Sequence, residues 1–231
     1  MTTVDFARYD AIVVPDLNSD YLTSLDFLEN SKDVWSLAVT GSIIIIGKLE
    51  QRGDPANHIS TVGAGILISN AIRFAATSHQ SQESTGLYLA LSRIYNNVNN
   101  ATLDVLSHFG EITVRGNLDC YNKAHLVASS PALDLLNDTA LSNWGCSVHE
   151  AFVSYPTSGR TDFQALAIAQ DVPSEDSQQF GDGSFGLPYI ISHGATPAAC
   201  GDGLWDKAYA TSEQWIRSPA TVYKGRVWAA E

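Results

Sequence analysis

GSIIIIG, residues 41–47, is the stretch whose reading decides the fold. Successive side chains on a strand point to opposite faces of its sheet, so Ile43, Ile44, Ile45 and Ile46 cannot all share one face. Both faces must therefore be covered, which is the pattern of a parallel strand held between layers of helix. A polar loop, KLEQRGDPANH (48–58), follows, and after it STVGAGILISNAIRFAAT (60–77). There Ile66, Leu67, Ala71, Phe74 and Ala75 recur at helical spacing, and Ser60 or Thr61 is available as the N-cap.

Working outward, YDAIVVPD (9–16) reads as a short buried strand and residues 21–28 as a short amphipathic helix. Downstream, the patterning predicts strands over 85–95, 111–116, 124–129, 163–171 and 186–194. It predicts helices over 101–110, stopped by Gly110, and over 131–136, begun by Pro131. GCSVHEAFVSYP (145–156) reads as a helix-opening turn that sets His149 and Glu150 at the rim of the sheet with Cys146 packed behind. Residues 195–231 carry three Trp and little periodicity, and are expected to wrap the body as loops plus a helix near Ser212–Ile216. No repeat or linker interrupts the chain, so one domain is expected, an α/β body over 1–194 with 195–231 as its wrapping segment. The alternation of strand and helix predicts a doubly wound, mostly parallel sheet with helices on both faces, of flavodoxin-like type. Such sheets bind ligands beyond the carboxyl ends of their strands. The loops after Ile46, Ile94 and Ile191, and the one before Glu150, are the places to search.

Composition excludes several classes. The chain has 231 residues, 45% apolar and 16% charged, with 13 basic against 25 acidic side chains and a net charge of −12. With no Lys/Arg run, a nucleic-acid partner is not expected. No apolar stretch reaches membrane-spanning length, so no membrane insertion is expected either. The three cysteines, Cys120, Cys146 and Cys200, form no C-x-x-C pair, which disfavours structural zinc. The N-terminus shows no secretory signal. Two N-x-[ST] sequons, at Asn100 and Asn137, together with scarce Lys and abundant Ser, Thr and Asn, point to an acidic extracellular glycoprotein.

YDAIVVPD, then a helix, then GSIIIIG with its helix-opening loop, then a late His-Glu, resembles the class I glutamine amidotransferase-like superfamily, in particular its trehalose-utilisation (ThuA-like) branch. HLVASSPALDLL, SVHEAFVSYP, FQALAIA and GLPYIISHG are similar to phrases of uncharacterised extracellular microbial proteins with that kind of domain. The resemblance spans most of residues 5–194 and implies the amidotransferase-like α/β fold, with His149 and Glu150 at the late acid–base position. The departures are specific. The family's G-x-C-x-G turn after the central strand is here G-K-L-E-Q, with Lys48 and Leu49 where the nucleophile would stand, so glutamine hydrolysis is not expected. The family's first strand and helix should also precede YDAIVVPD.

The candidate residues follow from chemistry and position. On a helix, Cys146 and His149 would share a face as thiol and base. Cys146 is better read as a small buried hydrophobe or half of a disulfide, and Ser147 lacks a G-x-S-x-G elbow. His149 with Glu150 suits general acid–base work near neutral pH, and suits equally a pair that pins the following loop. Asp54 and His58 stand in the loop where the fold collects ligands, either as substrate contacts or as a turn and a solvated side chain. Gly63 and Gly65 open the next helix, where free amides bind anions and where glycine also permits close packing. GDGSFG (181–186) and GDGLW (201–205) read as turns. No cofactor is expected. Two functions follow as expectations. One is a non-canonical, non-catalytic domain of an extracellular protein, with a structural role or one of binding a small polar ligand, such as a carbohydrate, or other protein subunits. The other is a hydrolase or lyase using His149 and Glu150, with Asp54, His58 and Gly63 toward the ligand.

Overall fold

The computed structural model describes residues 1–15, 25–47, 62–77, 84–91, 94–119, 121–144, 147–148, 150–194 and 227–229. Its strands are β1 (Ala11–Val14), β2 (Val39–Ile46), β3 (Thr85–Ala90), β4 (Ala101–Thr102), β5 (Thr113–Arg115) and β6 (Ala124–Leu126), then β7 (Ala151–Ser154), β8 (Gln164–Ala169), β9 (Gln178–Gln179), β10 (Phe185–His193) and β11 (Val227–Ala229). The α-helices are α1 (Thr3–Phe6), α2 (Asp26–Glu29), α3 (Lys32–Trp35), α4 (Val62–Ala76) and α5 (Asp138–Leu141). The architecture is mixed α/β. Among the described residues no helix is long and apolar enough to cross a membrane.

The main sheet runs in the order β11-β1-β3-β2-β10-β8-β6, with β9 hung on β10. Its first half is parallel, since β1 pairs in parallel with β11 and β3, and β3 with β2. Its second half is antiparallel through β2–β10, β10–β8, β8–β6 and β10–β9. A separate antiparallel sheet, β4-β5-β7, lies beside it. The expectation of a mostly parallel, doubly wound sheet is thus corrected. The reason lies in the connections. A parallel neighbour needs a crossover such as the α4 passage from β2 to β3, whereas β8, β9 and β10 follow one another without a helical crossover and fold back on themselves. Pro188, in the middle of β10, sits where the ladder to β8 shifts register, the place a sheet tolerates a residue with no N–H.

The isoleucine run behaves as its pattern requires. Ile44 and Ile46 pack with Leu67, Ala71 and Phe74 of α4 on one face. Ile43 and Ile45 pack with Trp35, Phe109, Phe152 and Phe163 on the other. All four are essentially excluded from solvent, and each such side chain contributes about 1.5–3 kcal/mol of transfer free energy. The second face is covered by α1, α2, α3 and the small sheet's Val114 and Phe152, together with irregular segments.

Local expectations change as well: the short helix expected over 131–136 is a 3-10 helix, Pro131–Leu133, and the strand expected over 85–95 ends at Ala90, with a turn at 94–97. Residues 101–110 are not an α-helix but the short strand β4 followed by a 3-10 helix, Asp104–Phe109, which Gly110 ends at φ 119°. The stretch before Ser154 does not open a helix, because 151–154 is strand β7 of the small sheet. The helix expected near Ser212–Ile216 and the course of 195–226 lie outside the described residues. Val227–Ala229 adds a strand beside β1.

Candidate functional site

The parallel strands β1, β3 and β2 all end on one side of the molecule, and the next residues of two of them carry the site. Leu91, just past β3, donates its N–H to the Ile46 carbonyl at 3.0 Å, which extends the ladder one step. Gly47, just past β2, donates to the Tyr189 carbonyl of β10 at 2.6 Å. A Cβ at Gly47 would stand 2.3 Å from the Glu150 carbonyl oxygen and 3.1 Å from that of Tyr189. Only glycine allows the end of β2 to lie this close to the chain entering β7.

That approach fixes Glu150. Its side chain is fully buried, and Oε1 accepts the backbone N–H of Tyr95 at 2.8 Å. A buried carboxylate is costly unless bonded, and a backbone amide is a strong partner for it. The expected rim position of Glu150 is therefore corrected: the side chain lies in the floor, not on the edge. Tyr95 is half-buried on the face lined by Phe109 and Phe152. Burial, then the nearby carboxylates Glu29, Glu150 and Asp104, push its phenol up to about 12. The charges felt at Tyr95 are all negative, a setting that suits a neutral polar ligand better than an anion.

Ser147 is also buried. Its hydroxyl accepts the Trp144 N–H at 3.2 Å, and its own N–H donates to Asn122 Oδ1 at 3.1 Å. These bonds tie Ser147 to Trp144 and Asn122 and give the serine a structural occupation. Gly63 lies in the first turn of α4, where a Cβ would come within 2.0 Å of the Ala140 carbonyl oxygen and 3.2 Å of the Trp144 ring. Its lack of a side chain is what lets α4 meet α5. Cys146, His149, Asp54 and His58 lie outside the described residues, as do Cys120, Cys200 and Lys48. Among the described residues no cluster of His, Cys, Asp and Glu has the makings of a metal site.

The loop after Ile191 is removed from the search by strand direction. Because β10 runs against β2, His193 stands opposite Ile43, at the amino end of β2. A cleft of about 100 Å³ lies there, lined among others by Thr40, His108, Arg160 and His193. His193 Nδ1 faces the Asp162 carboxylate at 3.2 Å in the same region. Sequence reasoning missed Tyr95. The signal available was its position five residues after β3, in a loop already marked for search.

No protein-family model matches the chain, and neither a curated protein nor a solved structure matches it significantly.

Proposed function

We propose that this chain is a non-catalytic, amidotransferase-like α/β domain of an extracellular protein, and that it binds a small polar ligand of the carbohydrate class at the carboxyl end of β1, β3 and β2. The observation that carries the reading is the commitment of Glu150, which is fully buried with Oε1 on the Tyr95 amide. A carboxylate so engaged braces the site floor. The parallel half of the sheet, with α4 crossing between β2 and β3, supports the amidotransferase-like reading of the fold. Lys48 and Leu49 where the cysteine would stand, and a buried, bonded Ser147, both speak for binding without a covalent step. Asn100 and Thr102, like Asn137 and Thr139, are exposed, as glycosylated sequons must be.

The test has two arms on the full chain. Treatment with a thiol alkylator and with a serine-directed fluorophosphonate, read by peptide mass spectrometry, should label neither Cys146 nor Ser147 beyond background. Titration with glucose, galactose and their disaccharides should shift the NMR signals of Gly47, Leu91 and Tyr95. Rapid labelling suppressed by His149→Ala would overturn the non-catalytic reading and favour a hydrolase or lyase built on His149 and Glu150. Unmoved signals at Gly47, Leu91 and Tyr95 with every sugar would remove the carbohydrate assignment.

A further inference from the structure

His125 lies on β6, which forms one edge of the main sheet, and both of its ring nitrogens face carboxylates. Nδ1 is 2.6 Å from Asp138 Oδ2, and Nε2 is 2.8 Å from Asp182 Oδ2. A neutral imidazole has one N–H and one lone pair, so two such contacts are both hydrogen bonds only when the ring carries two protons. A ring held in that way has no lone pair to offer, and His125 is therefore no general base. Both carboxylates are themselves fixed. Asp138 Oδ1 accepts the Leu126 N–H at 2.8 Å, while Asp182 Oδ1 accepts the Ser184 N–H at 2.9 Å and its hydroxyl at 2.6 Å.

The charged groups facing the ring are Asp138 from α5 and Asp182 from the 180–184 turn. The neighbouring strand β8, where Ile168 is the register partner of His125, has no titratable side chain over Gln164–Ala169.

We propose that His125 is a pH-operated latch: its doubly protonated ring fastens the 180–184 turn to the edge strand β6, and loss of one ring proton lets the turn go. Once a proton leaves, one nitrogen lone pair confronts a carboxylate oxygen at hydrogen-bond distance, and attraction becomes repulsion. Asp182 is the partner that departs. Asp138 is anchored twice to β6, through the ring and the Leu126 amide, whereas the turn closes on itself through Ser184 and moves as a unit. Gly183, at φ 85°, gives that turn a joint that other residues rarely adopt. The bond to Asp138, with a further one to Asp182, raises the His125 pKa above its ordinary value, against burial. The sign follows: the latch's contribution is whole below about 6.5 and is lost as pH rises through the higher folded-state value.

The test is an NMR titration of the full chain. We expect the His125 ring to titrate above about 6.5, the amides of Gly181–Ser184 to follow with the same midpoint, and their heteronuclear NOE to fall on the alkaline side. Asp182→Asn removes one charge from an exposed turn and should lower the ring's proton affinity about threefold or more. His125→Gln should abolish the pH response of the turn; if that variant fails to fold, Asp182→Asn carries the test alone. A midpoint at or below that of free imidazole, or a turn whose signals and NOE ignore the titration of His125, would overturn the latch.

Discussion

The carboxylate of Glu150 accepts the backbone N–H of Tyr95 at 2.8 Å, and so ties the residue before β7 to the chain that has just left β3. Two segments far apart in sequence are closed on each other at the end of the central strand. Glu150→Gln keeps an acceptor of the same shape there, whereas Glu150→Ala leaves the Tyr95 amide to find another partner. The alanine variant should be the less stable of the two by about 1–3 kcal/mol in urea unfolding. Equal stabilities would mean that the amide is satisfied without the carboxylate.

Tyr95 gives an alkaline signature. Its phenol is pushed up to about 12 by burial and by the surrounding carboxylates, while in an unfolded chain it titrates near 10. The folded state thus keeps a proton that the unfolded state has lost. The corresponding stability is intact below about pH 10 and disappears as pH rises through the folded value. Thermal unfolding of the wild-type chain should weaken across this window by at most about 2 kcal/mol more than that of Tyr95→Phe.

Gly63 inverts a common rule. Replacing a glycine inside a helix by alanine ordinarily stabilises by about 0.5–1 kcal/mol. Here the added methyl would meet the Ala140 carbonyl at 2.0 Å, so α4 and α5 would have to part. Gly63→Ala should destabilise by about 1–3 kcal/mol, read as a lower urea midpoint.

Leu135 holds a left-handed backbone, φ 62°, with its side chain 78% exposed. A leucine in that region carries a strain of about 1–2 kcal/mol and gains little burial in return. Leu135→Asn, a residue at ease there, should raise the melting temperature by a few degrees.

The legible part of the fold was the part governed by local pattern. The four isoleucines demanded two covered faces and have them, and the helix after Ser60 lies within the expected span. Strand direction was not legible, because β10 is buried on both faces like a parallel strand and its antiparallel course shows only in its connections. The error over 101–110 was avoidable in part. Leu103, Leu106 and Phe109 recur every three residues, the period of a 3-10 helix, and all three are buried. At the site, Glu150 could be named from its type and place. Its burial could not, since that depends on Gly47 and Tyr95, brought to it from beyond the ends of two other strands.

The pairing of β1 with β11 sets an order of events during synthesis. Ala11 is the register partner of Val227, so the strand at Ala11–Val14 waits for a partner made long after it. Until residues 227–229 have left the ribosome, the Ala11–Val14 strand offers a bare row of amides and carbonyls along one side, on a segment rich in β-branched residues. Closing so long a loop is also slow. The growing chain is therefore open to mispairing until that partner emerges, and β1 is the place where a chaperone, or a second nascent copy, would take hold.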